Sequence, residues 1–523
     1  MIYLAEIQAR DVTTNLLVTF RYSSGLGFTD DNGNFYEPRI EQPGLMRREM
    51  SDKGFAGGIN ETYGEVTLLN SDGALDFLYN RYIFAGQLLT IKAGNQSDTY
   101  AQFTTILEVI LSYPSFEKDR ISFRIRDYGS TFDKPFLANT YDGSNVGPTG
   151  LEGDLSLKGT RKPRCLGRPL NISPVLVNSS LSIYQVSDSK VASIVRIRDK
   201  GVDLRQESSY TSLADMVANS PSPGCYRTYA DQGYFRVGTP PFGSLTACVL
   251  QYNSLELNTV GSLIKSVVLT EGGLKQDRVN RQDFIDLDAL NASNVGYYIT
   301  GEESIRDVLN NLALSIGVWW GFDNLGVFRV GRFDAGSVLY SDETNTVPLS
   351  VNKYNIKDYS TNALTFDGAQ CPLYKLSLNH SKNWTVQTAD DLAGAVALDQ
   401  VNWLGLEYRK SSIEIADYLT LYPMAGEATL DTLLCGKEAA DFEVARVFRY
   451  FRSYSTDATL IRDKLFTISV MIDSTAFFSI QLGSKIKVDI DRYEFQDFTG
   501  YGVVIGFDTD YQRNQMNLTL YMM

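Results

Sequence analysis

The stretch YGEVTLLNSDGALDFL, residues 63–78, runs from a strand pattern through Asn-Ser-Asp-Gly into a short apolar segment carrying Asp76. Glu65 to Leu69 has strand content, Asp72-Gly73 is a tight-turn dipeptide, and Ala74 to Tyr79 fits a short helical turn. Ser71 or Asp72 is placed to cap that turn through a side-chain oxygen. Asn70, Asp72 and Asp76 together supply three oxygen donors, where Ca²⁺ takes about six to eight, and no bidentate Glu follows at the right distance. The segment therefore reads as a turn at the rim of a β-structure.

The same pattern extends on both sides. Residues 1–135 alternate with period two, as in LLVTFRYSS and RISFRIRDYG, with turn signals at Asp31-Asn32-Gly33-Asn34, Asp72-Gly73 and Ala93-Gly94-Asn95. Closely spaced strands of this kind predict a barrel or sandwich. Residues 139–154 are rich in Gly, Asn and Asp and read as a loop. KGTRKPRCLGRPLNISP follows, with five basic residues in eleven positions: Lys158, Arg161, Lys162, Arg164 and Arg168. These five are candidates for contact with an acidic partner surface or a phosphate. A solvated basic loop would look the same.

Strand character returns over 181–250, broken by SPSPGC and TPPFG. Two short echoes occur, RIRDYG (124–129) with RIRDKG (196–201) and GYFRVG (233–238) with GVFRVG (326–331). Each is an alternating strand ending at Gly, and the pair of echoes does not amount to a repeat architecture. A helix is predicted from Thr300, with Thr300 and Glu303 at capping-box spacing, an apolar stripe of Ile305, Val308, Leu309, Leu312 and Ile316, and Gly317 as its end. VWWGF and GVFRVGRF then form a hairpin about Asp323-Asn324-Leu325-Gly326. A second helix spans 437–452, with Ala440, Val444, Val447, Phe448 and Phe451 as its apolar face. KIKVDID, YGVVIGF and NQMNLTLYM are closing strands, with Asp508 and Asp510 expected in a turn.

The 523-residue chain is 43% hydrophobic and 21% charged, with Tyr 31, Phe 27 and Gly 42 against Pro 15. Its length suits three or four domains. No apolar run nears the roughly 20 residues of a membrane-crossing helix, and MIYLAEIQARD lacks the basic start of a secretory signal. Five widely spaced cysteines, Cys165, Cys225, Cys248, Cys371 and Cys435, without a C-x-x-C, argue against a disulfide framework or zinc site and for free thiols in a reducing cytoplasm. The net charge of −14 makes the chain a poor general ligand for nucleic acid, and suits a surface that nucleic acid passes without sticking.

Catalytic equipment is sparse. His380 is the sole histidine, so any Ser-His or Cys-His mechanism would have to use it, and its setting in SLNHSKNWTV reads as a backbone-satisfied strand end. There is no nucleophile elbow, P-loop or dinucleotide fingerprint. The 62 acidic residues include no motif that marks a glycosidase pair. Trp319, Trp320, Trp384 and Trp403 could stack sugars, or serve as core. We expect no enzyme, no cofactor and no metal.

Several stretches taken in order resemble the baseplate hub, or tail-tip, proteins of long non-contractile-tailed bacteriophages and related prophages. They are YGEVTLLNSDGALDFL, FRIRDYGSTFDKPF, KGTRKPRCLGRPLNISPVLVN, LSIYQVSD, SIRDVLNNLALSIGVWWGFDNLGVFRVGRF, NHSKNWTVQTADDLA and YGVVIGFDTDYQRNQMNLTLYM. The resemblance implies a virion structural protein, assembled in the bacterial cytoplasm into a homotrimer that closes the tail tube. Its partners would be a distal tail protein, a tape-measure protein and tip or fibre proteins, with DNA passing unbound. The implied fold is mainly β with an α+β insertion. Its parts would be a first tube-like β-barrel (1–135), a β-rich insertion (136–260), a helix-plus-hairpin domain (261–355) and a second tube-like barrel (356–523) carrying the helix 437–452. Some tail-tip proteins hold a cysteine-bound iron–sulfur cluster near the C-terminus. Here 63 residues lie between Cys371 and Cys435, and no cluster is expected. The alternatives are a distal tail ring protein of the same virion, or a carbohydrate-binding or carbohydrate-cleaving tail protein using Trp319 or Trp403.

Overall fold

Strand Ile2–Asp11 is the centre of the first sheet, because Tyr3, Ala5, Ile7 and Ala9 alternate onto one buried face. In the computed structural model, which describes residues 1–145, 150–333, 349–451, 465–472, 475–490 and 500–522, the strands across this sheet run in a fixed order. The order is Phe28–Thr29, Phe35–Pro38, Leu17–Ser23, Ile2–Asp11, Leu88–Gly94, Thr104–Leu111, Arg120–Arg126, Glu65–Leu69 and Ile40–Gln42. Nearly all pairings are antiparallel hairpins or meanders, as the closely spaced turn signals required.

A second large sheet is built from the C-terminal part: Leu349–Asn352, Lys485–Asp489, Gly500–Asp510, Gln515–Met522, Leu465–Met471 and Ile356–Asn362. Ile486, Val488, Ile468, Val470, Leu518 and Leu520 all point into the core from it. The chain's last strand lies between two others, paired along its length with Leu465–Met471 on one side and Gly500–Asp510 on the other. Asp508 and Asp510, expected in a turn, are instead strand residues; the turn falls at 511–514, where Asn514 takes the left-handed conformation with φ of 49°.

The chain is mainly β, as expected. Among the described residues neither large sheet closes on itself, so the tube-like barrels are open sheets here. The strand Leu45–Glu49, though early in the chain, belongs to the second sheet: it pairs antiparallel with Gly500–Asp510, matching Arg48 to Phe507, and with Asn60–Tyr63. One hydrophobic core consequently runs through both sheets and the helices between them.

The helix Ile305–Leu314 and the hairpin Val318–Phe322/Phe328–Arg332 form as read. The stripe Ile305, Val308, Leu309, Leu312 and Ile316 is fully buried, each side chain adding roughly 1.5–3 kcal/mol of transfer free energy. The cap differs from expectation. Ser304 and Asp307, rather than Thr300 and Glu303, make the reciprocal box, with Asp307 N donating to Ser304 Oγ at 3.1 Å and Ser304 N to Asp307 Oδ2 at 2.9 Å. The register of the stripe decides between the two candidates, since only the later one starts the helix at Ile305. In the hairpin turn, Asp323 Oδ1 accepts from Leu325 N (2.9 Å) and Val327 N (3.0 Å), and Gly326 has φ of +70°.

The helix Lys437–Phe451 buries the predicted face, and also Glu443 and Arg446; Arg452 lies outside the described residues. Glu443 is ion-paired to Arg446 at 2.5 Å and to Arg332 of the hairpin at 2.9 Å. Arg446 also donates to the Phe333 carbonyl at 2.7 Å. Gly317, just after the first helix, has φ of +68°, and a Cβ there would fall 1.9 Å from the Arg446 guanidinium. The segment between the large sheets and the helices carries its own five-stranded and three-stranded sheets, with separate small cores around Ile172, Ile197 and Phe235 and around Ile183, Tyr210 and Met216.

Candidate assembly surface

The five basic residues do not form one patch. Arg161 donates to the Leu137 carbonyl at 2.6 Å. Lys162 pairs with Glu152 at 2.6 Å and lies over the Tyr141 ring. Arg164 pairs with Glu271 at 3.1 Å and stands over Phe136. The first two bonds stay within the 136–260 segment, and Arg164 ties it to the helix that follows. Lys158 and Arg168 remain exposed.

The Asn70–Asp76 carboxylates build a turn. Asn70 Oδ1 accepts from Leu75 N at 2.8 Å and Asn70 Nδ2 donates to Asp76 Oδ1 at 2.8 Å. Asp72 takes both arms of Arg39, at 2.9 and 2.8 Å, which holds its carboxyl well below the usual range. Asp72 Oδ1 accepts from Ala74 N at 3.2 Å, as expected of a capping oxygen, Asn70 adds the bond to Leu75 N, and the helix that follows starts later than expected, at Phe77–Arg81.

His380 is buried at a strand end with Nδ1 3.0 Å from Ser381 Oγ. Trp320 is core, and its Nε1 donates to Asn310 Oδ1 at 3.0 Å. Trp384 stacks on Tyr297 at 5.7 Å, and Trp403 lies beneath Arg409 at 4.1 Å. Trp319 is half-buried on the wall of a cleft of about 260 Å³ between the hairpin, the helix Arg281–Leu290 and residues 481–483. That cleft is lined by the ion pairs of Arg329 with Asp283 (2.6 Å) and Asp323 (3.6 Å), which fill hydrogen-bonding positions a sugar would need.

The large sheets meet at a buried polar joint. Arg48, on the crossing strand, lies 3.2 Å from Glu61, donates to Tyr63 Oη at 2.8 Å and also to Asn324 Oδ1 of the hairpin turn. Burial, and after it the neighbouring Asp127, push the Glu61 carboxyl up to about 8, against the opposing pull of Arg48. The Asn324 carbonyl accepts from Glu108 N of the first sheet at 2.7 Å. Asn310 Oδ1 accepts from Gly58 N at 2.7 Å, binding the loop between the sheets to the helix. The joint fixes the relative position of the two sheets.

Sequence reading missed an apolar rim at one end of the first sheet. Val12 and Leu16 stand in the turn at its tip. Leu17 and Ile83 flank Arg10 in register on one face. Phe77 and Tyr79 come from the short helix on the other face, where Phe77 meets Tyr82 at 6.0 Å and Phe20 at 6.1 Å. All six of these apolar residues are exposed, with Leu16 at 64% and Tyr79 at 67%. Scattered exposed apolar residues are ordinary; these six lie on both faces of the sheet end, with Tyr79 packed edge-on against Phe116 at 5.2 Å. The available signal was the pair Leu16-Leu17 directly after a polar turn.

Among the described residues, no group of three or more His, Cys, Asp or Glu side chains is placed to hold a metal, and no helix is long and apolar enough to cross a membrane. No family model matches the chain, and no curated protein matches it. Among solved structures, the 43 kDa tail protein of prophage MuSo2 from Shewanella oneidensis is 10% identical over 99% of this chain and 98% of its own, at a TM-score of 0.40. The tail protein from Neisseria meningitidis MC58 is 8% identical over 99% and 96%, also at 0.40. A chain of the native gene transfer agent virion is 12% identical over 76% and 92%, at 0.41. At these scores the likenesses are loose and nothing about this chain is argued from them.

Proposed function

We propose that the chain is a structural component of a phage-like tail, the central hub that closes the tube and joins it to the tip. The observation that carries this reading is the joined pair of large sheets. Both are open among the described residues, so each offers unpaired strand edges to which a neighbouring copy can add a strand. A rigid Arg48–Glu61–Asn324 joint sets the angle between them, as a repeating wall unit requires. A heterologous contact of this kind generates a ring when its rotation closes. Three copies would surround a channel, and the chain's −14 charge would keep DNA moving through it unbound. The ordered sequence resemblance supports the same reading.

On this reading the distal tail protein, tape-measure protein and tip or fibre proteins are neighbours, Lys158 and Arg168 face one of them, and the chain acts mechanically rather than as an enzyme. Deletion of the gene from its phage or prophage tests the proposal. Tails lacking their tip and no infectious particles are expected; intact tips with unchanged infectivity would overturn it.

A further inference from the structure

We infer that the outer edge of the strand Ile356–Asn362 in one copy of this chain pairs antiparallel with Ser115–Phe116 of the next copy, repeating between copies the joint that the chain already makes within itself. The inference rests on the proposed self-assembly and names the strands that carry it. Its basis is a duplicated topology. Five strands of the first sheet, Ile40–Gln42, Glu65–Leu69, Leu88–Gly94, Thr104–Leu111 and Arg120–Arg126, lie side by side in the order third, fourth, fifth, second, first. Five strands of the second sheet, Ile356–Asn362, Leu465–Met471, Lys485–Asp489, Gly500–Asp510 and Gln515–Met522, lie in the same order. Every pairing in both sets is antiparallel. Each set is a hairpin whose second strand pairs with the last strand of a three-stranded meander.

The joint within the chain uses the hairpin of the first set and the fourth strand of the second. Past Gly44 the first hairpin strand continues as Leu45–Glu49, which adds its outer edge to residues 506–510 of Gly500–Asp510. That stretch can accept it because the third strand, Lys485–Asp489, pairs only with residues 500–503. The first set carries the corresponding edge unfilled. Its fourth strand is interrupted at 112–114 and continues as Ser115–Phe116, past the point where pairing with Leu88–Gly94 ends at Ile110. One side of Ser115–Phe116 takes Arg120–Arg126. Glu117 N donates to the Arg120 carbonyl, so by the alternation of the ladder the N–H and C=O of Phe116 face the other side, where no strand lies among the described residues. The side chains at this edge are aromatic: Tyr113 is 78% exposed, and Tyr79 packs on Phe116. The hairpin of the second set is likewise unused. Ile356–Asn362 is the outermost strand of its sheet, and Lys357, Asp358 and residues 360–362 are exposed on both its faces, as in a strand at an uncovered edge. Each copy therefore has one hairpin edge to give and one fourth-strand edge to receive, so the contact is heterologous and passes from copy to copy until a ring closes.

The test places a photo-crosslinking amino acid at Tyr113 in the full chain and mixes isotopically light and heavy copies. Crosslinks between light and heavy chains that map to residues 354–362 are expected. Amide hydrogen exchange of the wild-type chain gives a second reading that needs no substitution: on association, Phe116 and the strand Ile356–Asn362 should slow together by about tenfold or more. Interchain crosslinks that map elsewhere, or association that leaves exchange at Phe116 unchanged, would overturn the pairing and leave self-assembly standing. In assembled tails, crosslinks from Tyr113 to a different tail protein would show that the edge serves another partner and also overturn it. A wild-type chain that stays monomeric would overturn both.

Discussion

Arg48 and Glu61 face each other at 3.2 Å with side chains only 2% and 4% exposed, joining two neighbouring strands of the first half of the chain, the first of which also pairs with Gly500–Asp510 of the C-terminal sheet. The residues that do this are 13 positions apart on adjacent strands, with Arg48 matched to Glu61 in register. Burying such a group is costly unless it is paired, so its presence at the joint points to a demand for one fixed geometry. Arg48→Met strips Glu61 of its cation and Tyr63 Oη and Asn324 Oδ1 of their donor, and is expected to cost about 3–5 kcal/mol in urea unfolding above about pH 8, where Glu61 is ionised. The double variant Arg48→Met with Glu61→Leu should recover part of that loss. A single variant as stable as the wild type would show that the joint does not depend on the pair.

The same joint predicts a pH dependence. Burial raises the folded Glu61 carboxyl from 4.5 to about 8. Between those values the folded chain holds a proton that the unfolded chain has released. The stabilisation from this group is therefore complete below the unfolded value, declines as pH rises, and is gone above about 8, with a slope of at most about 1.4 kcal/mol per pH unit. Urea midpoints from about pH 5 to about pH 8 should fall more steeply for the wild type than for Glu61→Gln. Parallel profiles would contradict the assignment.

Gly317 occupies a position that no side chain fits. Its φ of +68° disfavours other residues, and a Cβ would collide with the Arg446 guanidinium that Glu443 holds. Gly317→Ala is expected to lower stability by at least about 2 kcal/mol, since strain and displacement of a buried ion pair act together. Thermal unfolding of the variant checks this, and an unchanged midpoint would contradict it.

The helix cap gives a paired prediction. Ser304→Ala removes a hydroxyl that accepts from Asp307 N at 3.1 Å and should cost about 1 kcal/mol. Thr300→Ala, one turn earlier, should stay within about 0.5 kcal/mol. Chemical denaturation of the two variants side by side distinguishes the caps, and the reverse ranking would move the helix start.

Most strands, the two helices read from sequence and the hairpin turn were legible because each is specified locally, whereas the helices Val260–Thr270 and Arg281–Leu290 were not read. Ile305, Val308, Leu309 and Leu312 announce their helix by spacing, and Asp323 to Gly326 announce their turn by composition. The joint was not legible. LMRRE reads as a strand, but nothing local says that its partner is Gly500–Asp510, or that Arg48 is buried. The basic run from Lys158 to Arg168 misled in the same way. Its acidic partners Glu152 and Glu271 lie outside it, so a segment that reads as one charged patch folds into separate ion pairs. The rim escaped notice because Val12, Leu16 and Ile83 look like ordinary strand residues until the sheet's end is seen to leave them uncovered.

Imaging of the assembled tail end along its symmetry axis tests the central claim most directly. The account predicts three copies of this chain closed around a channel, the two large sheets of each forming its wall and acidic side chains prevailing over basic ones on the inner surface. A single copy, a position off the axis, or a channel lined with Lys and Arg would contradict it.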